Sequence, residues 1–202
     1  MPPPLFKILG GVCKGLSLHL PPKQITRPTK AIVRESFFNV LQTSIIHSVF
    51  IEAFAGSASM GLEALSRGAS EAYFFEQDPH VFLVLQQNIQ AFKNRLKEAQ
   101  TQAICTDVFT LLQTCLETLK SEGLVILYMD PPFMEGIYTR CLHFLESLTI
   151  PSSLLEHGFL IVFEHESLQS MPRNIAGFSI IKQRKFGKTS LSYYFLQRNK
   201  HG

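Results

Sequence analysis

The chain has 202 residues, enough for one domain with a substantial core. It is 46% hydrophobic, but no apolar run approaches the roughly 20 residues of a membrane helix, so we expect no membrane partner. The start lacks the basic region and apolar block of a secretory signal, and the four cysteines form no CxxC pair, which favours a cytoplasmic protein. Neither the cysteines nor the seven histidines have metal-ligand spacing, so we expect no metal.

The formal net charge of +3 is distributed unevenly along the chain. Residues 1–34 hold six Lys/Arg and no acidic residue, and residues 167–202 hold seven Lys/Arg and again no acidic residue. The segment between them holds six basic and sixteen acidic residues. A solvated surface would account for either end alone. Two acid-free ends around an acidic middle favour a polyanionic partner, and hence nucleic acid.

The N-terminal segment differs in pattern from the rest of the chain. Residues 6–20 predict a short β-hairpin, because leucine alternates with polar residues from Leu16 to Leu20. A helix is predicted from about Thr29 to Gln42, with Thr29 as its N-cap. We therefore expect residues 1–43 to form a hairpin-and-helix extension that contacts the nucleic acid, and residues 44–202 to form the main domain.

From residue 48 onward, short apolar strands alternate with helices. The predicted strands are Val49–Ile51, Ala72–Phe75, Ala103–Cys105, Leu124–Met129 and Phe159–Phe163. The predicted helices are Met60–Arg67, Pro79–Leu96, Val108–Leu119 and Tyr138–Ser147. Two last strands, 178–185 and 190–197, have no helix between them and predict an antiparallel hairpin. The pattern predicts an α/β fold, a doubly wound, mostly parallel seven-stranded sheet that binds ligands at the carboxyl ends of its strands.

A loop of small residues follows the first parallel strand, from Glu52 to Gly61, and opens a helix. Such a loop lets a nucleotide-like ligand approach the backbone, and Glu76 at the end of the next strand could accept hydrogen bonds from a ribose diol. A dinucleotide fingerprint requires glycine in place of Ala58, and a carboxylate such as Glu52 would repel phosphates. Acidic residues at four strand ends suit the cationic S-adenosylmethionine better: Glu52, Glu76, Asp107 and Asp130. A tight turn without any ligand is the alternative for the loop alone.

The segment Asp130-Pro131-Pro132-Phe133 directly follows the most apolar strand. Because proline has no N–H, this turn presents a carboxylate and carbonyls without competing backbone donors. Such a surface accepts hydrogen bonds from an exocyclic base amine, and Phe133 can stack on the base. A rigid turn is the alternative. The combination with an upstream glycine loop and acidic strand ends favours a methyl-transfer site.

Several of these segments together resemble the RsmD-type ribosomal RNA methyltransferases. The resemblance rests on Phe50–Ser57 with Gly61–Ala69, Ile8–Gly11 with Lys14-Gly15, Arg27–Thr29 with Arg34-Glu35 and Phe38-Asn39, and Asp130–Phe133. It implies a class I methyltransferase fold and transfer of a methyl group from S-adenosylmethionine to the N2 amine of one guanine in bacterial small-subunit rRNA. By this resemblance Glu76 would bind the ribose, Asp107 the adenine amino group and Asp130 the target amine.

This sequence departs from the family pattern at three positions. Ala58 replaces the glycine that is usual in the loop, and Glu52 stands where Asp is commoner. Cys13 occupies a position that often holds a bulky aromatic residue. An alanine methyl at position 58 could narrow the cofactor pocket.

The sequence therefore predicts three sets of site residues. The catalytic set is Asp130, Pro131, Pro132 and Phe133. The cofactor-binding set is Glu52, Phe54, Ala55, Gly56, Ser57, Gly61, Glu76, Gln77, Asp107, Val108 and Asp130. The RNA-binding set is Lys7, Lys14, Arg27 and Arg34, with a second basic cluster at Lys182, Arg184, Lys185 and Lys188. The partner is expected to be small-subunit rRNA, within an assembled or assembling ribosomal particle, and the protein a monomer. Alternatives are an adenine-N6 or glutamine-amide methyltransferase and a non-catalytic RNA-binding assembly factor.

Overall fold

The computed structural model describes residues 5–21, 28–132 and 134–196. Arg27 and Phe133, both predicted site residues, lie outside these ranges. The first described elements are two short antiparallel strands, β1 (Leu5–Lys7) and β2 (Ser17–His19), followed by helix α1 (Pro28–Leu41). The predicted N-terminal hairpin and helix are therefore present. Helix α1 begins at Pro28, one residue before the predicted N-cap Thr29. A proline is tolerated at the start of a helix because its missing N–H removes no intrahelical hydrogen bond.

The remaining strands and helices form one sheet covered on both faces. The strands are β3 (Val49–Glu52), β4 (Glu71–Glu76), β5 (Gln100–Cys105), β6 (Val125–Met129), β7 (Phe159–Glu166), β8 (Asn174–Ile175), β9 (Phe178–Phe186) and β10 (Thr189–Phe195). The helices are α2 (Ser59–Ser66), α3 (Pro79–Lys93), α4 (Val108–Thr118), α5 (Ile137–Ser147) and α6 (Ser152–Leu155), and a 3-10 turn spans Gln42–Ile45.

The strand order across the sheet is β5-β4-β3-β6-β7-β10-β9-β8. Strands β5, β4, β3, β6 and β7 are parallel, and β10, β9 and β8 continue the sheet in antiparallel fashion. The doubly wound sheet with an antiparallel C-terminal hairpin is thus confirmed. Beyond the seven predicted strands, the two-residue strand β8 adds a short edge.

Two hydrophobic clusters cover the two faces of this sheet. Successive residues of β6 alternate between them, with Tyr128 in one cluster and Leu127 in the other. The first cluster takes in side chains from the N-terminal hairpin, α1, α2 and α3, whereas the second takes in side chains from α4, α5 and α6. Because both faces of the sheet are packed, the carboxyl ends of the parallel strands are held in fixed positions.

The N-terminal hairpin is hydrogen-bonded to the C-terminal end of α2. The Val12 and Cys13 N–H groups donate to the carbonyl oxygen and the Oγ of Ser66, at 2.8 and 2.9 Å. Gly11 has a φ of +76°, and a Cβ there would lie 1.7 Å from the Ser66 carbonyl oxygen. Only glycine allows this approach. Further along, the backbone N–H and carbonyl of His19 pair with the side-chain amide of Asn88 at 2.8 Å each.

Candidate active site

Four acidic residues lie at the carboxyl edge of the sheet, at the ends of neighbouring strands. Across the sheet the order is Asp107 after β5, Glu76 at the end of β4, Glu52 at the end of β3, and Asp130 after β6. Because these strands are parallel, four residues distant in sequence lie along one edge. The structure thereby brings together the carboxylates that the sequence predicted to share a site.

Glu52, the last residue of β3, faces α2, the helix that follows this strand, and is only 4% exposed. Its Oε2 accepts from the Gly61 N–H at 2.9 Å and its Oε1 from the Met60 N–H at 3.3 Å. Burial raises the pKa of this carboxyl to about 8, although both N–H groups act to lower it. A Cβ on Gly61 would lie 2.3 Å from the Phe74 ring, so α2 approaches the sheet through this glycine. Glu52 therefore fastens the start of α2 to the strand end.

The turn between β3 and α2 contains two residues in the left-handed backbone region. Gly56 has φ 53°, and Ala58, the N-cap of α2, has φ 65° and ψ 28°. Ala58 is fully buried and belongs to the hydrophobic cluster shared by α1, α2 and α3. Left-handed backbone explains why glycine suits this position, and here an alanine adopts it at a steric cost.

Glu76 is half-buried and holds the glycine loop from the neighbouring strand. Its Oε2 accepts from the Gly56 N–H at 2.9 Å, and its Oε1 accepts from the Asp78 N–H at 2.8 Å. Next to it, Gln77 is exposed. Within the loop, Ala55 and Ser57 are buried. The loop is thus rigidly held, with a partly exposed carboxylate at its edge.

Asp107 caps α4 and pairs with α5. Its Oδ1 accepts from the Phe109 N–H at 3.1 Å, and its Oδ2 lies 2.7 Å from a guanidinium nitrogen of Arg140. The same guanidinium lies over the Phe109 ring at 4.0 Å, and Phe54 packs edge-on against that ring at 5.9 Å between centroids. Val108 is buried beneath. A concavity of about 660 Å³ adjoins this pair, lined by Phe109, Gly136, Thr139, Arg140, His143, Phe144 and Ser147.

Asp130 is joined to two groups that the sequence analysis missed. Its Oδ2 lies 2.6 Å from the Nζ of Lys30 in α1, and the same Nζ lies 2.5 Å from the Oε1 of Glu164 in β7. The other oxygen of Glu164 accepts from the Tyr128 hydroxyl at 2.5 Å. The Asp130 side chain is 31% exposed, Pro131 is buried and Pro132 is exposed. One ammonium group therefore bridges two carboxylates at the mouth of the predicted catalytic loop.

This network perturbs the acidities of its members. Burial, and then the negative charge of Glu164, raise the pKa of Asp130 to about 7, while Lys30 acts to lower it. Burial acts to lower the pKa of Lys30, but the charges of Asp130 and Glu164 outweigh it, so that the pKa is raised. Burial also raises the pKa of Tyr128. Ionisation of Asp130 is therefore harder than that of an ordinary aspartate, and Lys30 is the group that favours it.

The predicted RNA-contacting residues fall into two groups. Lys7 and Lys14 are exposed on the hairpin. The Arg34 side chain is 9% exposed: its guanidinium donates to the Lys7 carbonyl at 2.6 Å and lies 3.7 Å from the Oε2 of the fully buried Glu63. Arg34 therefore does not present its guanidinium to solvent as Lys7 and Lys14 present their ammonium groups, because this side chain ties the hairpin and α1 to α2 inside the protein. Burial lowers its pKa.

The polar groups at this edge fit a cationic ligand with a diol better than a phosphate. The loop from residue 52 to 61 contains no Lys or Arg, while carboxylates stand at the ends of the strands on both sides of it. Among residues 5–21, 28–132 and 134–196, no group of three His, Cys, Asp or Glu side chains is arranged to hold a metal ion. In the same ranges no helix has the length and apolarity required to span a bilayer.

Comparison with known proteins places this chain in a family. The family model for conserved hypothetical protein 95 matches residues 6–195. Ribosomal RNA small subunit methyltransferase D of Escherichia coli is 30% identical over 98% of this chain and 92% of its own length. The Haemophilus influenzae protein of the same name is 29% identical over 93% of this chain and 92% of its own length.

Solved structures agree with this assignment. The structure of yhhF from Escherichia coli has a TM-score of 0.75 at 27% identity and covers 96% of this chain and 99% of its own. An RNA methyltransferase from Salinibacter ruber in complex with S-adenosyl-L-homocysteine shares the fold, with a TM-score of 0.54 at 10% identity over 88% of this chain and 98% of its own. The chain therefore belongs to the RsmD-type family of ribosomal RNA methyltransferases, with the α/β sheet of the class I methyltransferases.

Proposed function

We propose that this protein is an S-adenosylmethionine-dependent methyltransferase that modifies the N2 amine of a guanine in bacterial small-subunit rRNA. One observation carries the proposal: Asp130 stands partly exposed at the end of β6, in a turn whose next two residues have no N–H, beside acidic ends of neighbouring strands. The names of the relatives support the class of substrate. The choice of guanine and of N2 rests on the family resemblance.

The cofactor would lie across the carboxyl ends of β5, β4 and β3. We assign the ribose diol to Glu76, the adenine amino group to Asp107, and the wall of the site to the loop from Phe54 to Ser57, with Gln77 and Val108 beside it. Glu52 and Gly61 hold that loop from behind, since the Glu52 carboxylate is already occupied by two N–H groups of α2. No cationic side chain in the loop opposes a sulfonium or an ammonium.

The target amine would be aligned by Asp130. One Asp130 oxygen is held by Lys30, and the other accepts no hydrogen bond from the described residues, so it can accept an N–H of the base. Phe133 would stack on the base. S-adenosylmethionine bound at this edge would supply an activated methyl group, whose carbon–sulfur electron pair would return to sulfur on transfer, and the target nitrogen would lose one proton. Because the pKa of Asp130 is raised by burial and by Glu164, this carboxylate is a stronger acceptor for that proton than an ordinary aspartate.

The RNA would approach along two basic surfaces. Lys7 and Lys14 are exposed on the hairpin, and Arg27 belongs to the same acid-free arm. On the other side of the site, Leu191 pairs with Glu164 and also with Arg184. Because directly opposed residues point to one face, the exposed Arg184 lies in the same row as Glu164, about 10 Å away across two strands. The basic residues of the hairpin and of β9 would then contact phosphates on either side of the target base, once this base has flipped out of the RNA stack.

Methyl transfer from labelled S-adenosylmethionine tests the proposal. Purified protein would be offered naked rRNA, small ribosomal subunits lacking the modification, duplex DNA and protein, and the labelled nucleotide would be mapped. We expect labelling of a guanine N2 in small-subunit rRNA. Labelling only of adenine, DNA or glutamine would replace the proposed substrate, and failure to bind S-adenosylhomocysteine by calorimetry would favour a non-catalytic assembly factor.

A matched pair of variants tests the role of Asp130. Asp130→Asn should reduce turnover at least about 100-fold while binding S-adenosylhomocysteine almost as well as the wild type, because it removes the charged acceptor of the amine. Glu135→Gln removes an exposed carboxylate five residues further along and should leave turnover unchanged. Equal activity of both variants would contradict the assignment.

A further inference from the structure

Lys30 connects the N-terminal helix to the predicted catalytic loop. It lies in the first turn of α1, yet its ammonium group contacts carboxylates 100 and 134 residues further along the chain. The Lys30 side chain is 49% exposed, whereas Glu164 is 3% exposed. The Lys30 ammonium thus contacts one buried and one partly buried carboxylate. This differs from an ordinary surface ion pair, because the Glu164 carboxylate is almost completely shielded from solvent.

The charges around Asp130 would otherwise oppose its ionisation. Glu164 stands beside it on β7 and raises its pKa, and the charge of Asp130 acts in turn on Glu52 of β3. The charge of Asp130 also raises the pKa of two phenols among the described residues, Tyr128 on β6 and Tyr138 on α5. Among the described residues, Lys30 is the one cation in contact with Asp130 or Glu164. When two carboxylates share a site without a cation, they tend to hold a proton between them.

We propose that Lys30 is a positioning residue for methyl transfer: it keeps Asp130 ionised against the charge of Glu164 and holds Oδ2, so that Oδ1 faces the target amine. The inference rests on the proposed function of Asp130. A protonated Asp130 would present a hydroxyl donor to the amine and lose its value as an acceptor. Tyr128 contributes by fixing the far oxygen of Glu164, so that the near oxygen stays on the Lys30 ammonium.

The pH dependence of kcat/KM distinguishes this role from a merely structural one. Activity should fall on the acid side of neutrality as Asp130 becomes protonated. Lys30→Met should move that acid limb to higher pH, giving a loss of about tenfold at pH 6 and a smaller loss at pH 9. Lys30→Arg should restore the wild-type limb. Lys14→Met, the same change on an exposed lysine of the same arm, should alter RNA affinity without moving the limb.

A double variant separates the charge effect from local damage. Glu164→Gln alone should move the acid limb to lower pH, because it removes the neighbouring negative charge. In Lys30→Met/Glu164→Gln the limb should move back toward the wild-type position. A uniform loss of activity in Lys30→Met at all pH values, with no return in the double variant, would overturn the inference.

A titration without substrate keeps this inference distinguishable from the proposed function. With 13C-labelled aspartate carboxyls, the Asp130 signal, assigned from the Asp130→Asn spectrum, should titrate at higher pH in Lys30→Met than in the wild type. If this shift is seen while no RNA is methylated, the proposed function fails and the electrostatic role of Lys30 stands. If RNA is methylated and the Asp130 titration does not move, the role of Lys30 is refuted alone.

Discussion

Ala58 offers a sharp test of how the glycine loop is built. It is fully buried, and it caps α2 with φ 65° and ψ 28°. The left-handed conformation costs a residue with a Cβ about 1–2 kcal/mol. Ala58→Gly would remove that strain. It would also lose one buried methyl group, about 0.8 kcal/mol, and give the unfolded chain more freedom, about 0.4–1 kcal/mol. The terms nearly cancel, so the free energy of unfolding should change by less than about 1 kcal/mol.

Ala64 provides the matched control. It is also fully buried and lies in the same cluster, but within the body of α2. Ala64→Gly loses a methyl group of the same size and adds the helix penalty of glycine, about 1 kcal/mol, with no strain to relieve. We expect a loss of about 2 kcal/mol.

Urea unfolding followed by circular dichroism measures both variants under identical conditions. The Ala64→Gly midpoint should fall clearly below that of Ala58→Gly, and Ala58→Gly should bind S-adenosylhomocysteine like the wild type, because the Ala58 methyl belongs to the core cluster. Equal destabilisation by the two changes would refute the strain argument. A large gain of cofactor affinity in Ala58→Gly would show that the methyl narrows the pocket.

Three further predictions concern buried groups. Gly61→Ala places a Cβ 2.3 Å from the buried Phe74 ring, so it should cost about 1–3 kcal/mol in urea unfolding; an unchanged midpoint would contradict the packing. Arg34→Met removes the hydrogen bond to the Lys7 carbonyl and the more distant of the two cationic partners of Glu63, since Arg67 remains at 2.8 Å, so it should cost about 1.5–3 kcal/mol in urea unfolding while rRNA affinity of the folded protein stays unchanged. The pKa of Glu52 is raised from 4.5 to about 8 in the folded state, so its contribution to the free energy of unfolding is fully present below pH 4.5 and is lost as pH rises through 8. The free energy of unfolding of the wild type, relative to that of Glu52→Gln, should therefore decline from pH 5 to 8.5. An increase over this range would contradict the raised pKa.

The strands and the carboxylates at their ends could be predicted because parallel, doubly covered strands have a simple sequence pattern. Leu124–Met129 was predicted as a strand, and β6 begins one residue later at Val125. Asp130 follows directly, and alternation of strands and helices placed it on the same edge as Glu76. This reasoning needs only local patterns and the rule that parallel strands end on one edge.

The sequence did not reveal residues whose role depends on contacts with residues far away in the chain. Glu164 was missed because the apolar run ends at Phe163, whereas β7 continues to Glu166 through pairing with β10. Lys30 was counted only as one of the basic residues of the N-terminal segment, because the neighbouring sequence does not indicate a partner 100 residues away. The burial of Arg34 against Glu63 was missed for the same reason. A signal was present in its partner: Glu63 is the one charged residue in α2, a helix otherwise made of small and apolar residues with two serines.

The docking of the N-terminal hairpin has a consequence for the order in which the protein folds. Its hydrogen bonds to α2 and α3 join residues separated by 53, 54 and 69 positions. A growing chain therefore presents the hairpin long before Ser66 and Asn88 exist to receive it. The hairpin must therefore wait for α2 and α3, and its apolar side chains remain without these core partners until the chain has been made as far as Lys93.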